Sequence, residues 1–160
     1  KIKNLKKEAG EPIGNLIIKS SSLKSIKCPE ALVPSTIDEF PLLFIVASLV
    51  KGVSKFNGIG ELRHKESDRI KSIEIGLNQI GIKTKSTMSS LTIFGNPNIK
   101  INKTLTIFPE KDHRIAMAFF CLGQLLNGKV RINNFQTVNT SFKKFLFIMK
   151  KIGANFEIKK

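Results

Sequence analysis

The chain has 160 residues, which suits one domain or a large part of one, and 41% of them are hydrophobic, enough for a sizeable core. There is no signal-peptide pattern and no apolar run long enough to cross a bilayer, and the two distant cysteines, Cys28 and Cys121, argue against a disulfide framework or a zinc site. The net charge of +15 attracts anions, but nearly all of it is scattered lysine, so the more informative cations are the four arginines: Arg63, Arg69, Arg114 and Arg131.

The first part of the chain predicts two strands and a helix. Residues 16–21 and 23–27 are predicted to be short strands. A helix is predicted from about Asp38 to Lys51, because Asp38 is a plausible N-cap and Gly52 follows as a helix end. The chain begins at Lys1 rather than Met, which suggests a fragment or a processed product.

The middle of the chain contains the clearest amphipathic pattern. A strand is predicted at 53–57, and a helix is predicted from Lys65 to Ile80. The apolar stripe of this helix is formed by Ile70, Ile73, Leu77 and Ile80. Residues 82–86 and 91–94 are predicted to pair as a hairpin.

The last part repeats this order of elements. A strand near 104–107 precedes a strongly apolar helix that is capped by Asp112 and ends near Asn127. The remaining predicted elements are a strand at 129–133, a helix at 141–152 and a strand at 154–158. The order helix–strand–helix–strand therefore occurs twice, about 72–76 residues apart, which favours stacked repeats in an α/β domain. We place the two units at roughly 16–95 and 96–160 of a single region, 1–160.

A charged cluster runs from Glu61 to Arg69, at the start of the second predicted helix. Lys65 and Arg69 are four residues apart and would share a helix face. Cations at a helix N-terminus oppose the macrodipole unless an anion binds there. Glu66 falls on the backward continuation of the apolar stripe, and burial would favour its protonated form, as general acid–base catalysis requires. The alternative is an ordinary solvated, salt-bridged helix start.

Two more clusters lie at predicted helix starts. Asp38 and Glu39 are by themselves typical of helix capping. Asp112, His113 and Arg114 stand at the front of an otherwise apolar helix, and we expect such a helix to present its charged end to a cleft. An Asp cap beside a surface arginine is the alternative.

Several stretches, in this order, resemble the 5-enolpyruvylshikimate-3-phosphate synthases. They are Gly10-Glu11-Pro12, VPSTIDEFPL at 33–42, ELRHKESDRI at 61–70, DHRIAMA at 112–118 and Thr140-Ser141-Phe142. The resemblance covers nearly the whole chain and corresponds to the C-terminal portion of that family. It implies an α/β (α+β) fold of repeated βαβαββ units, as in an inside-out α/β barrel, with this chain as one partial domain of two.

The resemblance also implies site residues. By position, Asp38 and Glu66 resemble the two carboxylates proposed to move protons, and Lys65 resembles the lysine that contacts shikimate 3-phosphate. Arg69 and Arg114 resemble the arginines that bind phosphoenolpyruvate. The further candidates are His113 beside them, Glu61, Arg63 and Thr140. Some members have a phosphoenolpyruvate-binding lysine at the position of Thr140, and Lys143 replaces their proline, which leaves Lys143 or Lys144 as substitutes.

The implied activity is transfer of the enolpyruvyl group of phosphoenolpyruvate to shikimate 3-phosphate by addition and elimination, with release of phosphate. It implies no metal or organic cofactor. The expected partners are these two anionic substrates and the missing N-terminal domain, without which the fragment should be inactive. No nucleic acid and no membrane partner is expected, and a cytoplasmic location is the default for such a chain.

Other functions remain open from the sequence. A related enolpyruvyl transferase acting on a UDP-amino sugar is one, although the KESDR and DHR clusters fit the shikimate enzyme better. The charge of +15 makes a nucleic-acid-binding module a second alternative. Against it, the aromatic residues are all Phe and lie mostly in apolar stretches rather than among basic residues. A binding or regulatory fragment that lost its partner domain is the third.

Overall fold

The computed structural model describes residues 1–101 and 103–159. Its strands are β1 (Ile2–Glu8), β2 (Glu11–Leu16), β3 (Gly52–Phe56), β4 (Lys83–Ser86), β5 (Leu91–Gly95), β6 (Leu105–Ile107) and β7 (Val130–Ile132). Its α-helices are α1 (Val33–Thr36), α2 (Phe40–Ser48), α3 (Arg69–Gln79), α4 (His113–Leu125) and α5 (Phe145–Lys151). Short 3-10 segments lie at Glu30–Leu32, Ile37–Glu39, Gly60–His64 and Phe135–Thr140.

Within the described residues the strands form three separate sheets. β1 and β2 are an antiparallel hairpin, β3, β5 and β4 form an antiparallel sheet in that order, and β6 pairs with β7 in parallel. In the three-stranded sheet, β5 is central, with Ile93 opposite Ser54 of β3 and Thr84 of β4. The parallel pair is joined by α4, because parallel strands need a crossover connection.

The main core lies between the three-stranded sheet and helices α2, α3 and α4. Phe40, Phe44 and Phe56 are fully buried, and the rings of Phe44 and Phe56 pack edge to face with centroids 4.9 Å apart. A second cluster surrounds Phe120 on the other side of α4 and includes Phe145 of α5. Because α4 is buried on both sides, its N-terminus is held in a fixed position beside that of α3.

The strands predicted at 16–21 and 23–27 are wrong. The paired strands lie earlier, and they turn at Ala9 and Gly10, whose positive φ angles of 50° and 89° reverse the chain. Only Lys27 makes an isolated bridge, to Lys55. β1 carries four charged residues and is exposed throughout, so it lacks the apolar alternation by which a strand is recognised.

Two predicted helix starts and the last strand are also corrected. The helix predicted from Asp38 begins at Phe40, and Asp38 lies in a 3-10 turn rather than at an N-cap. The helix predicted from Lys65 begins at Arg69, because the Asp68 side chain accepts a hydrogen bond from the Lys71 amide and caps it there. No strand forms at 154–158, where Phe156 packs on Phe120 instead.

The remaining elements agree with the sequence. The strand at 53–57, the hairpin of β4 and β5, the strand near 104–107, the helix capped by Asp112 and the strand at 129–133 are confirmed within one or two residues at most ends. The helix predicted at 141–152 is shorter and begins at Phe145. The division into units at 16–95 and 96–160 stays a prediction.

One helical stretch, Glu30–Ser48, is long and apolar enough to cross a membrane by length and composition alone. It is divided into short segments, and several of its apolar residues, including Phe40, Phe44 and Ile45, are buried in the main core. A core helix passes the same test, so this stretch gives no argument for a membrane span.

Candidate active site

Four of the predicted site residues, Asp38, Glu66, Arg69 and Arg114, meet where α3 and α4 begin. Arg69 is the first residue of α3 and Arg114 is the second of α4, while Asp38 lies in the 3-10 turn just before α2. The first backbone N–H groups of a helix have no hydrogen-bond acceptor within that helix, so they are available to a ligand. The helix macrodipole adds positive potential at the same end. The fold therefore brings together residues that are 31 to 76 positions apart in the chain.

Arg69 is the centre of this cluster. Its side chain is only 1% exposed, and three carboxylates surround it. Nε donates to Asp112 Oδ2 at 2.8 Å, Nη1 donates to Asp38 Oδ1 at 3.0 Å, and Nη2 donates to Glu66 Oε2 at 2.6 Å. Burial alone would lower the pKa of Arg69, but the hydrogen bond and charge of Asp112, followed by Asp38 and Glu66, raise it above its ordinary value. The guanidinium is therefore permanently charged.

Asp112 connects the two helix starts. It is fully buried, and its Oδ1 accepts hydrogen bonds from the amides of Arg114 at 2.9 Å and Ile115 at 3.3 Å, which caps α4. Its Oδ2 accepts from Arg69, and from the buried Ser67 hydroxyl at 3.2 Å. The sequence predicts Asp112 as a cap in a charged helix end that faces a cleft, but no local pattern indicates that its second oxygen accepts a hydrogen bond from Arg69.

Asp38 faces both arginines. Burial opposes its ionisation, but the hydrogen bond from Arg69 and the charges of Arg114, Arg69 and Lys65 prevail and lower the pKa of Asp38 below its ordinary value. Arg114 Nη1 also donates to the Asp38 carbonyl at 2.8 Å and to Glu39 Oε1 at 3.1 Å, and its Nη2 lies 3.5 Å from Asp38 Oδ2. Asp38 is thus an ionised carboxylate held between two guanidinium groups.

The expected burial of Glu66 is wrong. Because α3 begins at Arg69, Glu66 precedes the helix and does not continue its apolar stripe, and its side chain is 48% exposed. Lys65 is likewise outside the helix, so it shares no helix face with Arg69, and its ammonium group pairs with Glu61. Glu66 nevertheless reaches the cluster, through its contact with Arg69.

An open pocket of about 370 Å³ lies beside this cluster. Asp38, Glu39, His113 and Arg114 line its polar end, and an apolar wall is formed by residues that include Met117, Phe142 and Phe145. Cys121 also lines it, and burial raises the pKa of this thiol, which keeps it protonated. His113 thus lies in the same pocket as two other predicted site residues.

Thr140 and Arg63 have hydrogen-bond partners outside this cluster. Thr140 ends the 3-10 segment before Ser141, and its hydroxyl donates to the Thr137 carbonyl at 2.7 Å. Ser141 lines the pocket. Arg63 donates to Asp68 and to the turn between β4 and β5 rather than to Asp38 or Glu66.

This arrangement is suited to small anions and to proton transfer. Two guanidinium groups and two helix N-termini provide donors for phosphate or carboxylate oxygens. Asp38 and Glu66, each 48% exposed, contact the same guanidinium through different nitrogens. Both carboxylates can therefore be reached by a ligand that binds beside Arg69.

The comparisons with known proteins identify the family. The family model of EPSP synthase (3-phosphoshikimate 1-carboxyvinyltransferase) matches residues 7–149. A 3-phosphoshikimate 1-carboxyvinyltransferase from Zymomonas mobilis is 40% identical over 158 residues, which are 97% of this chain and 35% of that protein. One from Clostridium tetani is 40% identical over 141 residues, 88% of this chain and 32% of that protein. The chain thus spans about a third of the length of these relatives.

Comparison with solved structures leads to the same family. An EPSP synthase from Acinetobacter baumannii superposes on all of this chain, and on 37% of its own, with a TM-score of 0.91 and 37% identity. The enolpyruvyl transferase NikO from Streptomyces tendae matches 96% of the chain with a TM-score of 0.60 but 15% identity, which shows a shared fold alone. The mixed helix-and-strand fold expected from the sequence is therefore confirmed as part of an enolpyruvyl transferase fold. With a family model matched along most of its length, the chain belongs to the EPSP synthase (3-phosphoshikimate 1-carboxyvinyltransferase) family.

Proposed function

We propose that this chain is the C-terminal part of an enzyme that transfers the enolpyruvyl group of phosphoenolpyruvate to the 5-hydroxyl of shikimate 3-phosphate, releasing phosphate. One observation carries the proposal: in a member of this family, the buried Arg69 joins Asp38 and Glu66, and Arg114 lies beside them. The names of the relatives support this reaction. The rest of the longer protein would supply the opposite wall of the site.

The arginines would hold phosphoenolpyruvate. Arg69 and Arg114 present planar guanidinium groups at the starts of α3 and α4, where carboxylate and phosphate groups are favoured by the amides and the dipoles. Substrate oxygens would replace part of their present carboxylate contacts. Lys65 would contact shikimate 3-phosphate. His113 would act from the pocket that it lines together with Asp38 and Arg114. Their contribution is positioning and charge stabilisation.

The two carboxylates would divide the proton transfers. Asp38, whose lowered pKa keeps it ionised at neutral pH, would accept the proton of the 5-hydroxyl as its oxygen attacks phosphoenolpyruvate. Glu66 would protonate the methylene carbon, which becomes a methyl group in a tetrahedral intermediate. Elimination then returns a proton from that methyl group to the Glu66 carboxylate while the C–O bond to phosphate breaks, which restores the double bond and releases phosphate.

The assay that tests the proposal measures phosphate release by the full-length protein. We expect release only when phosphoenolpyruvate and shikimate 3-phosphate are both present, and none with a UDP-amino sugar as acceptor. The isolated 160-residue chain should release none, because one wall of the site is absent. Release that needs no acceptor, or that prefers the UDP-amino sugar, would refute the proposal. The absence of nucleic-acid and membrane partners and a cytoplasmic location stay predictions.

A further inference from the structure

Each of the three guanidinium nitrogens of Arg63 donates a hydrogen bond to another group of the protein. Its Nη1 donates to Asp68 Oδ2 at 2.7 Å, and its Nε donates to the Met88 carbonyl at 3.1 Å. Its Nη2 donates to the Thr87 carbonyl at 2.7 Å and contacts Ser86 Oγ at 3.4 Å. The side chain is 15% exposed. Two of these acceptors are backbone carbonyls of the turn, which cannot rotate away to make room for a substrate anion. Arg69 differs, because two of its acceptors are the half-exposed side chains of Asp38 and Glu66, which substrate oxygens can replace.

These contacts close a short loop around two candidate site residues. Arg63 lies in the last turn of the 3-10 segment Gly60–His64, and Asp68 caps α3, so their ion pair joins the two ends of the loop at residues 63–68. Lys65 and Glu66 lie inside that loop. Asp68 uses its other oxygen to accept from the Lys71 amide, so the pair also ties the loop to the first turn of α3.

The turn that receives Arg63 is itself fixed. The Ile59 amide donates to the Ser89 carbonyl at 3.0 Å, and the hydroxyls of Thr87 and Ser90 are 2.7 Å apart. Ser86 Oγ donates to Glu74 Oε2 of α3 at 2.6 Å. The turn between β4 and β5 therefore forms a supported surface against which Arg63 holds the loop.

We infer that Arg63 is a positioning residue: it fixes the loop at 63–68 so that Lys65 and Glu66 face the substrates, and it does not itself bind an anion. This inference rests on the proposed function for what Lys65 and Glu66 do. Lysine cannot replace Arg63 fully, because a single ammonium group cannot reach Asp68 and two turn carbonyls in a planar fork. Displacement of reacting groups by about 1 Å can cost on the order of 10²-fold in rate.

The test compares Arg63→Gln and Arg63→Lys in the full-length protein with Arg131→Gln, which removes the same charge from an exposed position on β7. We expect Arg63→Gln to lower kcat roughly 10–100-fold and to raise the KM for shikimate 3-phosphate, with little change in the KM for phosphoenolpyruvate. Arg63→Lys should fall between Arg63→Gln and the unmodified protein. Arg131→Gln should match the unmodified protein.

Two results would overturn the inference. One is unchanged kcat and KM in Arg63→Gln; the other is a selective rise in the KM for phosphoenolpyruvate at constant kcat, as expected of a direct ligand. If Arg63→Gln does not fold, Arg63→Lys decides, and full activity in that variant contradicts the role of the turn contacts.

Failure of the proposed function gives a different result, namely an inactive unmodified protein. In that case, amide hydrogen exchange at residues 64–67 tests the positioning role of Arg63, because this measurement does not require an active enzyme. Exchange there should be faster in Arg63→Lys than in Arg131→Gln, and equal rates in these two variants would overturn the inference.

Discussion

Arg69 differs from a surface arginine in that three carboxylates hold its guanidinium in place. Asp112 is buried with it, whereas Asp38 and Glu66 remain accessible from outside. A buried charge is tolerated when it is paired and hydrogen-bonded, and this pairing also sets the positions of the accessible carboxylates. At this scale the site consists of one fixed cation with two accessible carboxyl groups.

Replacement of Glu66 by Gln tests its role as a proton donor. The amide preserves size and can still accept from Arg69, but it cannot supply the proton. We expect kcat to fall roughly 10²–10⁴-fold while the affinity for phosphoenolpyruvate changes little. Steady-state kinetics of the full-length protein measure both, with Glu157→Gln as an exposed control. Near-normal turnover would remove Glu66 from the mechanism.

Arg114→Ala tests the binding of phosphoenolpyruvate. Loss of a charge-assisted contact costs about 1.5–3 kcal/mol, so kcat/KM for phosphoenolpyruvate should fall roughly 10–100-fold, mainly through KM. Arg131→Ala is the matched control, since Arg131 is exposed on β7. An unchanged apparent affinity for phosphoenolpyruvate in Arg114→Ala would argue against this contact.

The lowered pKa of Asp38 makes its contribution to stability depend on pH. A carboxyl group whose pKa is lowered by folding stabilises the folded state above its ordinary pKa of about 3.9, and this stabilisation is lost as the pH falls through the folded value. The urea midpoint of the full-length protein should therefore exceed that of Asp38→Asn at pH 7, and the difference should shrink below about pH 4. A difference that is constant with pH would contradict the ionic contacts.

At the scale of elements, the site depends on the close approach of α3 and α4. Gly76 of α3 is buried against Phe119 of α4, and a Cβ at this position would overlap the Phe119 ring and lie 3.1 Å from Ile107 Cδ1. Both helices begin at the site, so a change in their separation would move Arg69 relative to Arg114.

Gly76→Ala should therefore destabilise the protein by about 1–3 kcal/mol, since a methyl group in a filled core forces its neighbours apart. Lys71→Ala, at an exposed position of the same helix, should change the free energy of unfolding by less than about 0.5 kcal/mol. Chemical denaturation measures both. Equal stabilities of the two variants would show that the helices have room to adjust.

The sequence predicted helices and strands best where a single pattern, such as a cap followed by an apolar run, marks both the type of element and its start. α4 was predicted with its cap because Asp112 is followed by an almost continuous apolar run. The start of α3 was wrong because Ile70, Ile73 and Leu77 set the period but not the boundary, and Asp68 caps the helix three residues after Lys65. The exposure of Glu66 follows from that shift of boundary, so one local error changed the expected environment of a site residue.

The contacts within the site were beyond local patterns. The sequence placed these residues in three clusters, with Asp38 in the first, Glu66 and Arg69 together in the second and Arg114 in the third, and only the resemblance to a family grouped them. Their convergence depends on how α2, α3 and α4 pack around one core. The second role of Asp112 likewise depends on a contact 43 residues away, which no periodicity encodes.

At the scale of the whole molecule, this chain spans about a third of its relatives, and several of its apolar residues are exposed. Those of the β1–β2 hairpin and of α5 include Leu5, Leu16, Phe147 and Ile148. In the proposed full-length enzyme, we expect other parts of the protein to cover some of these faces and to complete the site. The charge of +15 then favours the approach of anionic substrates in general, while Arg69 and Arg114 select their positions.

The most direct test of the whole account is to run the reaction of the full-length protein in D₂O and to examine the product by NMR and mass spectrometry. If a carboxylic acid delivers a solvent-derived proton to the methylene carbon before elimination, deuterium should appear in the =CH₂ group of an enolpyruvyl ether of shikimate 3-phosphate. An ether product without deuterium would contradict the proton transfers assigned to Glu66, and pyruvate with no ether product would contradict the transfer itself.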